Sequence, residues 1–234
     1  MNVHQRFTFQ RRLIGVLLVL LAAAASADGG LAALTSSDMS GGLRAALSKG
    51  IDSAVAQLGA PGGFLDNEQL RIPLPPALEK ADRALRMVGM SGEADDLKVA
   101  MNHAAESAVS EAKPVLQKTL KQMSIADAKG ILTGGDDAAT QYFRRTAGAE
   151  LKVRMKPIVA QATAKAKLAP LYDRVASKGE QFGLVKGDEA NVDDYVTAKA
   201  LDGLFSVIAT EERSIRKDPV SAGSDLIKKV FGAL

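Results

Sequence analysis

The 234-residue chain contains no cysteine and no tryptophan, and aromatic residues make up only 4 % of it. The lack of cysteine excludes disulfides, thiolate nucleophiles and cysteine-ligated zinc, and we expect no lipoprotein anchor, which needs a cysteine after the cleavage site. The fold must therefore be held by core packing alone. Hydrophobic residues make up 47 % of the chain, mostly small or aliphatic ones, which favours closely packed helices over sheets.

The chain also lacks a basic excess once its N-terminus is set aside. The formal net charge is +3, but Arg6, Arg11 and Arg12 lie in the first 27 residues, which contain no acidic residue. Removing these three from the 30 basic residues leaves 27, which equals the 27 acidic residues. Nucleic-acid binding needs a basic face or stripe. Basic and acidic residues are interspersed here, so we predict no nucleic-acid partner.

The N-terminus has the three parts of a secretory signal peptide. The arginines form a positive region, residues 13–25 form an uninterrupted apolar run, and Ala25-Ser26-Ala27 is a small-x-small cleavage site. We predict a cleavable signal peptide over residues 1–27 and a periplasmic protein that is not a lipoprotein. An uncleaved anchor and twin-arginine export are the alternatives. The run is shorter than the roughly 20 residues of a spanning helix, so we expect no stable transmembrane segment after cleavage.

Helical periodicity follows a Gly- and Ser-rich stretch over residues 28–41, which we predict to be a flexible leader. The first apolar stripe is Leu43, Leu47, Ile51, Ala54, Val55 and Leu58. No segment alternates strictly with a period of two, and no linker is long enough to separate two domains. We therefore predict an all-α fold, a single multi-helix orthogonal bundle with short loops and no significant sheet, over residues 42–234.

Prolines and capping residues divide this bundle into helices. Residues 71–76 (RIPLPP) predict an extended connection, with Pro76 beginning the next helix. Such a segment can recognise a partner, although it more often joins two helices. Ser91 and Ser124, each followed by acidic residues, predict helix N-caps, and Pro114 predicts a kink or a restart. Residues 183–191 predict a loop.

The densest combination of glycine, acidic, aromatic and basic residues runs from Lys129 to Arg145. Gly134-Gly135 before a helix can present backbone N–H groups to an anion, but the ending of a phosphate-binding loop is missing. Asp136 and Asp137 offer the oxygen ligands that hard cations prefer, without the spacing of a calcium loop. We favour the interpretation that Gly134 ends one helix and the aspartates cap the next, and we predict no metal site.

Three other candidates have simple structural explanations. His103 has no second histidine near it in sequence, and we interpret it as a helix-edge residue. Arg144 and Arg145 can hold a carboxylate or phosphate, but pairing with acids of neighbouring helices is our preferred interpretation. An acidic cluster lies around a helix start, where carboxylates are stabilising: Asp188, Glu189, Asp193 and Asp194. We therefore predict no catalytic residue and no cofactor.

Several blocks of the sequence resemble one bacterial family. They are RIPLPP at 71–76, EAKP at 111–114, ADAKGILTGGDDAATQYFRR at 126–145, ALDGLF at 200–205 and DPVSAGSDLIKKVFG at 218–232. The chain from Asp38 to Gly232 is similar to the domain of unknown function 4197 family. The resemblance implies an export signal, a helical body and a Gram-negative source, and it implies no activity, cofactor or catalytic residue.

The longest of these blocks coincides with the segment singled out above. The candidate functional surface therefore comprises Thr133, Gly134, Gly135, Asp136, Asp137, Tyr142, Arg144 and Arg145. Our first hypothesis is a non-enzymatic cell-envelope protein that binds an apolar small molecule between helices or an envelope protein. The alternative is a metal-assisted or carboxylate-based hydrolase or lyase centred on this surface, with Arg145 or His103 converging on the aspartates. A third hypothesis is a structural or stress-related envelope protein that self-associates.

Overall fold

The computed structural model describes residues 34–87, 92–181, 192–221 and 223–233. Over these residues the chain forms nine α-helices and no β-strand, so the predicted all-α fold is confirmed. The helices are α1 (Ser36–Gly59), α2 (Pro76–Met87), α3 (Gly92–Val109), α4 (Ala112–Gln122), α5 (Ile125–Leu132), α6 (Ala138–Lys165), α7 (Leu168–Gln181), α8 (Val192–Lys217) and α9 (Asp225–Phe231).

Helix α1 begins at Ser36, so the predicted end of the flexible leader at residue 41 is too late. Thr35 caps the helix, because its hydroxyl accepts a hydrogen bond from the Asp38 amide at 3.0 Å. Gly42 is buried against α9, where an added Cβ atom would lie 2.6 Å from Val230 Cγ2. Small residues that resemble a linker in the sequence are therefore the contact surface for the C-terminal helix.

Most of the predicted helix boundaries are found where local chemistry places them. Pro76 begins α2, and Pro114 lies in the first turn of α4. Ser124 caps α5 through a capping box with Asp127, and Pro157 is accommodated inside α6. Asp193 and Asp194 lie in the first turn of α8, as expected for carboxylates at a helix start.

Some predictions fall on other parts of the chain. The signal peptide over residues 1–27, the Ser91 cap, the loop over residues 183–191 and the carboxylates Asp188 and Glu189 lie outside the described residues. They stay predictions.

Helix α3 lies at the centre of the described fold, in contact with α1, α4, α6, α7 and α8. Its alanines are buried and allow these helices to approach closely: Ala94, Ala100, Ala104, Ala105 and Ala108. The most extensive helix pair is α6 with α8, while α9 packs on α1 and α2 packs on α7. Every helix in the described ranges is too short or too polar to cross a membrane.

Candidate functional site

The predicted functional surface is spread around the α5–α6 junction, which comprises residues 133–137. Thr133, the two glycines and Asp136 are exposed there. Asp137 Oδ2 accepts a hydrogen bond from Gln141 Nε2 at 3.1 Å. Tyr142 is instead buried, with its ring edge-on to Phe143, and burial raises the pKa of its phenol. The tyrosine is therefore a core residue and not part of an accessible site.

The two arginines of the predicted surface face different neighbours. Arg144 Nη1 lies 3.3 Å from Asp202 Oδ1 of α8, and its guanidinium lies 4.6 Å from the centre of the Phe205 ring. The charge of Arg145 acts on Asp127 of α5, where it adds to the hydrogen bonds from Ser124 that lower the pKa of the carboxyl. Arg144 thus pairs with an acid of a neighbouring helix, as predicted.

The N-terminus of α6 is capped by a residue that the sequence analysis missed. Asp137 occupies the N-cap position, but its side chain makes no capping hydrogen bond. Glu212 of α8 caps the helix instead: its Oε1 accepts from the Ala139 amide, and its Oε2 accepts from the amide and hydroxyl of Thr140, all at 2.9 Å. The prediction that the aspartate side chains cap this helix is therefore wrong.

Arg216 completes this arrangement from one turn further along α8. Its Nη2 donates to Glu212 Oε1 at 2.9 Å and to the carbonyl oxygen of Ile131 in α5 at 2.8 Å. One buried ion pair thereby joins the end of α5 to the start of α6. The anion site that a helix N-terminus provides is filled by the protein's own carboxylate. The only sequence signal for it is a Glu–Arg pair four residues apart, which is common on helix surfaces.

A second set of buried polar side chains holds the connection between α1 and α2. Glu106 Oε1 accepts hydrogen bonds from the amides of Phe64 and Leu65, both at 3.1 Å, and its Oε2 lies 2.8 Å from His103 Nδ1. His103 is half exposed, in agreement with its predicted place at a helix edge. Buried polar groups need such partners, so these hydrogen bonds attach the turn after α1 to α3.

Residues 71–75, here called the proline strip, contain no helix, turn or bend and connect to α2, as predicted for a segment that joins two helices. Ile72 and Leu74 are buried, and Asn102 of α3 binds both backbone groups of Ile72, at 2.8 Å to its amide and 3.0 Å to its carbonyl oxygen. The Tyr195 hydroxyl of α8 lies 3.2 Å from the carbonyl oxygen of Pro73 and 3.3 Å from that of Leu74. The strip is therefore fixed from two helices.

Two open clefts border the proline strip. The first, here called the strip cleft, has a volume of about 270 Å³ and lies between the strip and α8; among its lining residues are Gln69, Arg71, Lys199, Asp202, Gly203 and Ser206. The second, of about 410 Å³, lies between the strip and α2. In the second cleft the buried Asp82 is matched by two cations, with Lys98 Nζ at 2.8 Å and Arg86 Nε at 3.1 Å.

Of the three charged side chains that line the strip cleft among the described residues, one forms an ion pair. Its Asp202 is paired with Arg144 at the rim. Arg71 Nε donates to the carbonyl oxygen of Leu65, and Lys199 Nζ lies 5.8 Å from the centre of the Tyr195 ring. Within the described ranges neither Arg71 nor Lys199 forms an ion pair. The cleft therefore presents two cations that are available to a ligand.

The structure does not bring together the residues that the hydrolase or lyase alternative requires. Asp136 and Asp137 lie at the α5–α6 junction, Arg145 acts on α5, and His103 lies beside the Phe64 turn. In the part of the chain that the structure describes, no three histidine or carboxylate side chains are close enough to hold a metal ion. The enzyme alternative thus gains no support from this geometry.

Comparison with known proteins gives one match. A family model described as a protein of unknown function (DUF4197) matches residues 33–232. Neither a curated protein nor a solved structure matches the chain. The matched range includes the nine helices, the proline strip and the α5–α6 junction.

Proposed function

We infer the role of this chain from its own geometry, because it belongs to the DUF4197 family, whose members are described only as proteins of unknown function. We propose that it is a non-enzymatic binding protein of the cell envelope. We place its binding surface at the strip cleft. The observation that carries the proposal is a cleft with fixed walls whose two cationic side chains form no ion pair within the described residues. The envelope location rests on the signal-peptide features of residues 1–27.

The walls of the strip cleft support a binding role because they are preorganised. Asn102 and Tyr195 hold the backbone of the proline strip on one side. Gly203 of α8 lies on the other side, where a Cβ atom would be 2.6 Å from Phe64 Cε1. Walls that need no ordering on binding lose little conformational entropy, which raises affinity for a fitting ligand.

The use of the buried carboxylates supports a role without catalysis. Glu106 and Glu212 each accept hydrogen bonds from two backbone amides, so their oxygens are engaged in holding the chain. A general base needs an oxygen that can reach a substrate proton. The mixed lining of the strip cleft also favours a polar ligand over the apolar one suggested by the alanine-rich composition.

The exposed large apolar residues give no support to self-association. Among the described residues they are Met87, Val99, Ile125, Val153 and Val220, and they lie on four different helices and the turn after α8. Single exposed apolar side chains are normal on monomeric proteins, whereas an association surface needs a continuous patch.

The test is to express the protein with its own leader, purify it from the periplasmic fraction, and compare its native and denatured masses. We expect a native mass excess that disappears on denaturation. In Ser206→Trp the indole occupies the strip cleft, so the excess should be lost. Ser214→Trp is the matched control, because Ser214 is another exposed serine of α8 and does not line the cleft.

Three outcomes would contradict the proposal. A mass equal to the bare chain, or to an integer multiple of it, would argue against a retained ligand. An excess that survives in Ser206→Trp would place the ligand elsewhere on the molecule. Failure to recover the protein from the periplasmic fraction would contradict the envelope location.

A further inference from the structure

We propose that the strip cleft recognises an anionic group of its ligand, a carboxylate or a phosphate, through Arg71 and Lys199. This inference rests on the proposed function, because it names the ligand chemistry at the same cleft. It differs from the anion site considered at the start of α6, where Glu212 already accepts hydrogen bonds from the Ala139 and Thr140 amides.

The first argument is the arrangement of the two cations. Arg71 belongs to the proline strip and Lys199 to α8, so the cleft has a positive group on each wall. The Arg71 guanidinium is oriented by the hydrogen bond from its Nε to the Leu65 carbonyl oxygen. Its terminal nitrogens stay available, and a guanidinium binds carboxylate or phosphate oxygens with paired hydrogen bonds.

The second argument is the state of the one carboxylate in the cleft. Asp202 would repel an anion if it were unpaired, but Arg144 lies 3.3 Å from it and reduces its effect. Arg144 is itself held over the Phe205 ring, which keeps its charge at the rim. The side chains that line the strip cleft therefore carry a net positive charge.

The third argument is the size and polarity of the cleft. A volume of about 270 Å³ accommodates a head group or one side chain, and not a long chain. The Ser206 hydroxyl and the Gln69 side-chain amide line it and can donate further hydrogen bonds to anion oxygens. The second cleft differs in charge, since its three cationic side chains, Arg71, Arg83 and Lys98, are matched by the carboxylates of Glu68, Glu79 and Asp82.

The experiment is a titration of the isotope-labelled protein with sodium phosphate and, separately, sodium acetate, at constant ionic strength. We expect saturable shifts of the amide resonances of Ile72 and Gly203, which line the cleft. Lys199→Gln should weaken binding of the effective anion roughly fivefold, as expected for a partly exposed charge contact. Lys199→Arg should retain it. Asp202→Asn should strengthen it, because a competing carboxylate is removed.

Lys121→Gln is the matched control, since Lys121 is an exposed lysine of α4 and does not line the strip cleft. The proposal is overturned if neither anion gives saturable shifts at the cleft. It is also overturned if Lys121→Gln weakens binding as much as Lys199→Gln, or if Asp202→Asn weakens it. All four variants change partly or fully exposed side chains, so each is expected to fold.

Vesicles separate the possible sources of the anionic group. Sedimentation with phosphatidylglycerol vesicles but not with phosphatidylcholine vesicles, lost in Lys199→Gln, would assign the group to a lipid head group. Saturable amide shifts without vesicle binding would assign it to a soluble ligand. If Ser206→Trp removes a retained molecule while Lys199→Gln keeps it, the binding function stands and the anion proposal fails.

Discussion

Glu212 on α8 and Glu106 on α3 are buried carboxylates with similar tasks in two regions of the molecule. Each accepts hydrogen bonds from two consecutive backbone amides of a segment that is distant in the sequence. Glu212 binds Ala139 and Thr140 at the start of α6, and Glu106 binds Phe64 and Leu65 in the turn after α1. Helices α3 and α8 thus hold the turn after α1 and the start of α6 in place.

The two carboxylates differ in their side-chain partners. Glu212 uses both oxygens for backbone amides and pairs with Arg216, whose side chain is only 11 % exposed. Glu106 uses one oxygen for both amides and leaves the other for His103, whose side chain is 52 % exposed. The α5–α6 junction is therefore held by a buried ion pair, whereas the carboxylate that holds the Phe64 turn has a half-exposed histidine as its side-chain partner.

The largest expected effect comes from Glu212→Gln. The amide has one accepting oxygen for two backbone amides, and Arg216 is left without its counter-charge, so we expect a loss of roughly 3 kcal/mol in the free energy of unfolding. Urea denaturation measures it. The neighbouring Glu211→Gln, which keeps an acceptor for the Ser53 hydroxyl, should cost less than about 1 kcal/mol. Equal losses in the two variants would refute the role of the buried ion pair.

A helical glycine tests the packing below the strip cleft. In Gly203→Ala the new methyl group would meet the Phe64 ring at 2.6 Å, so we expect a destabilisation of about 2 kcal/mol and altered amide resonances around the cleft. Gly148→Ala on α6 is the matched control, because nothing lies within 4 Å of its Cβ position. That variant should be stabilised by roughly 0.5 to 1 kcal/mol. A stable Gly203→Ala would show that the ring moves aside readily.

Glu106→Gln applies the same change as Glu212→Gln to the other carboxylate and is expected to have a much smaller effect. The glutamine oxygen can accept both amide hydrogen bonds, and its NH₂ group replaces the Glu106 oxygen that faces His103 Nδ1. We expect a loss below about 1 kcal/mol in urea denaturation. A loss as large as that of Glu212→Gln would remove the distinction between the two regions.

The smallest effect concerns Asp127, a partly exposed carboxylate that caps α5 locally, in contrast to the distant cap of α6. The hydrogen bonds from the Ser124 hydroxyl and backbone amide hold its pKa below the usual 3.8. A lowered pKa in the folded state means that this stabilisation is present above pH 3.8 and is lost as the pH falls through the folded-state value. The difference in melting temperature between the wild type and Asp127→Asn should therefore narrow in acid. A constant difference from pH 7 to pH 3 would contradict this.

The local features of the fold were predictable because their causes lie within a few residues. Ser124 and Asp127 form the capping box with each other, and Pro76 begins α2 through its own fixed backbone angle. The proline strip forms no helix, because prolines at positions 73 and 75 disfavour one. The start of α1 was misplaced, because its glycines resemble a loop in the sequence, whereas Gly42 packs against α9 at the other end of the chain.

The candidate site was predictable only in part, because its residues are brought together by contacts between distant parts of the chain. The sequence singled out Arg144 and the RIPLPP segment separately, and neither suggested the other. Asp202 links them, since it pairs with Arg144 and lines the cleft beside the strip. The segment with the densest motif, residues 129–145, is instead joined to α8 by Glu212, which lies 72 and 73 residues from the amides that it caps.

The amino-acid sequence by itself determined that this protein is helical, free of disulfides and dependent on core packing, because composition and periodicity act over short stretches of chain. Only the tertiary structure decided which carboxylates became buried caps and which cations remained available in the strip cleft. The physical reason is that burial and pairing depend on neighbours brought together by packing of α3, α6 and α8, and no local pattern encodes those neighbours.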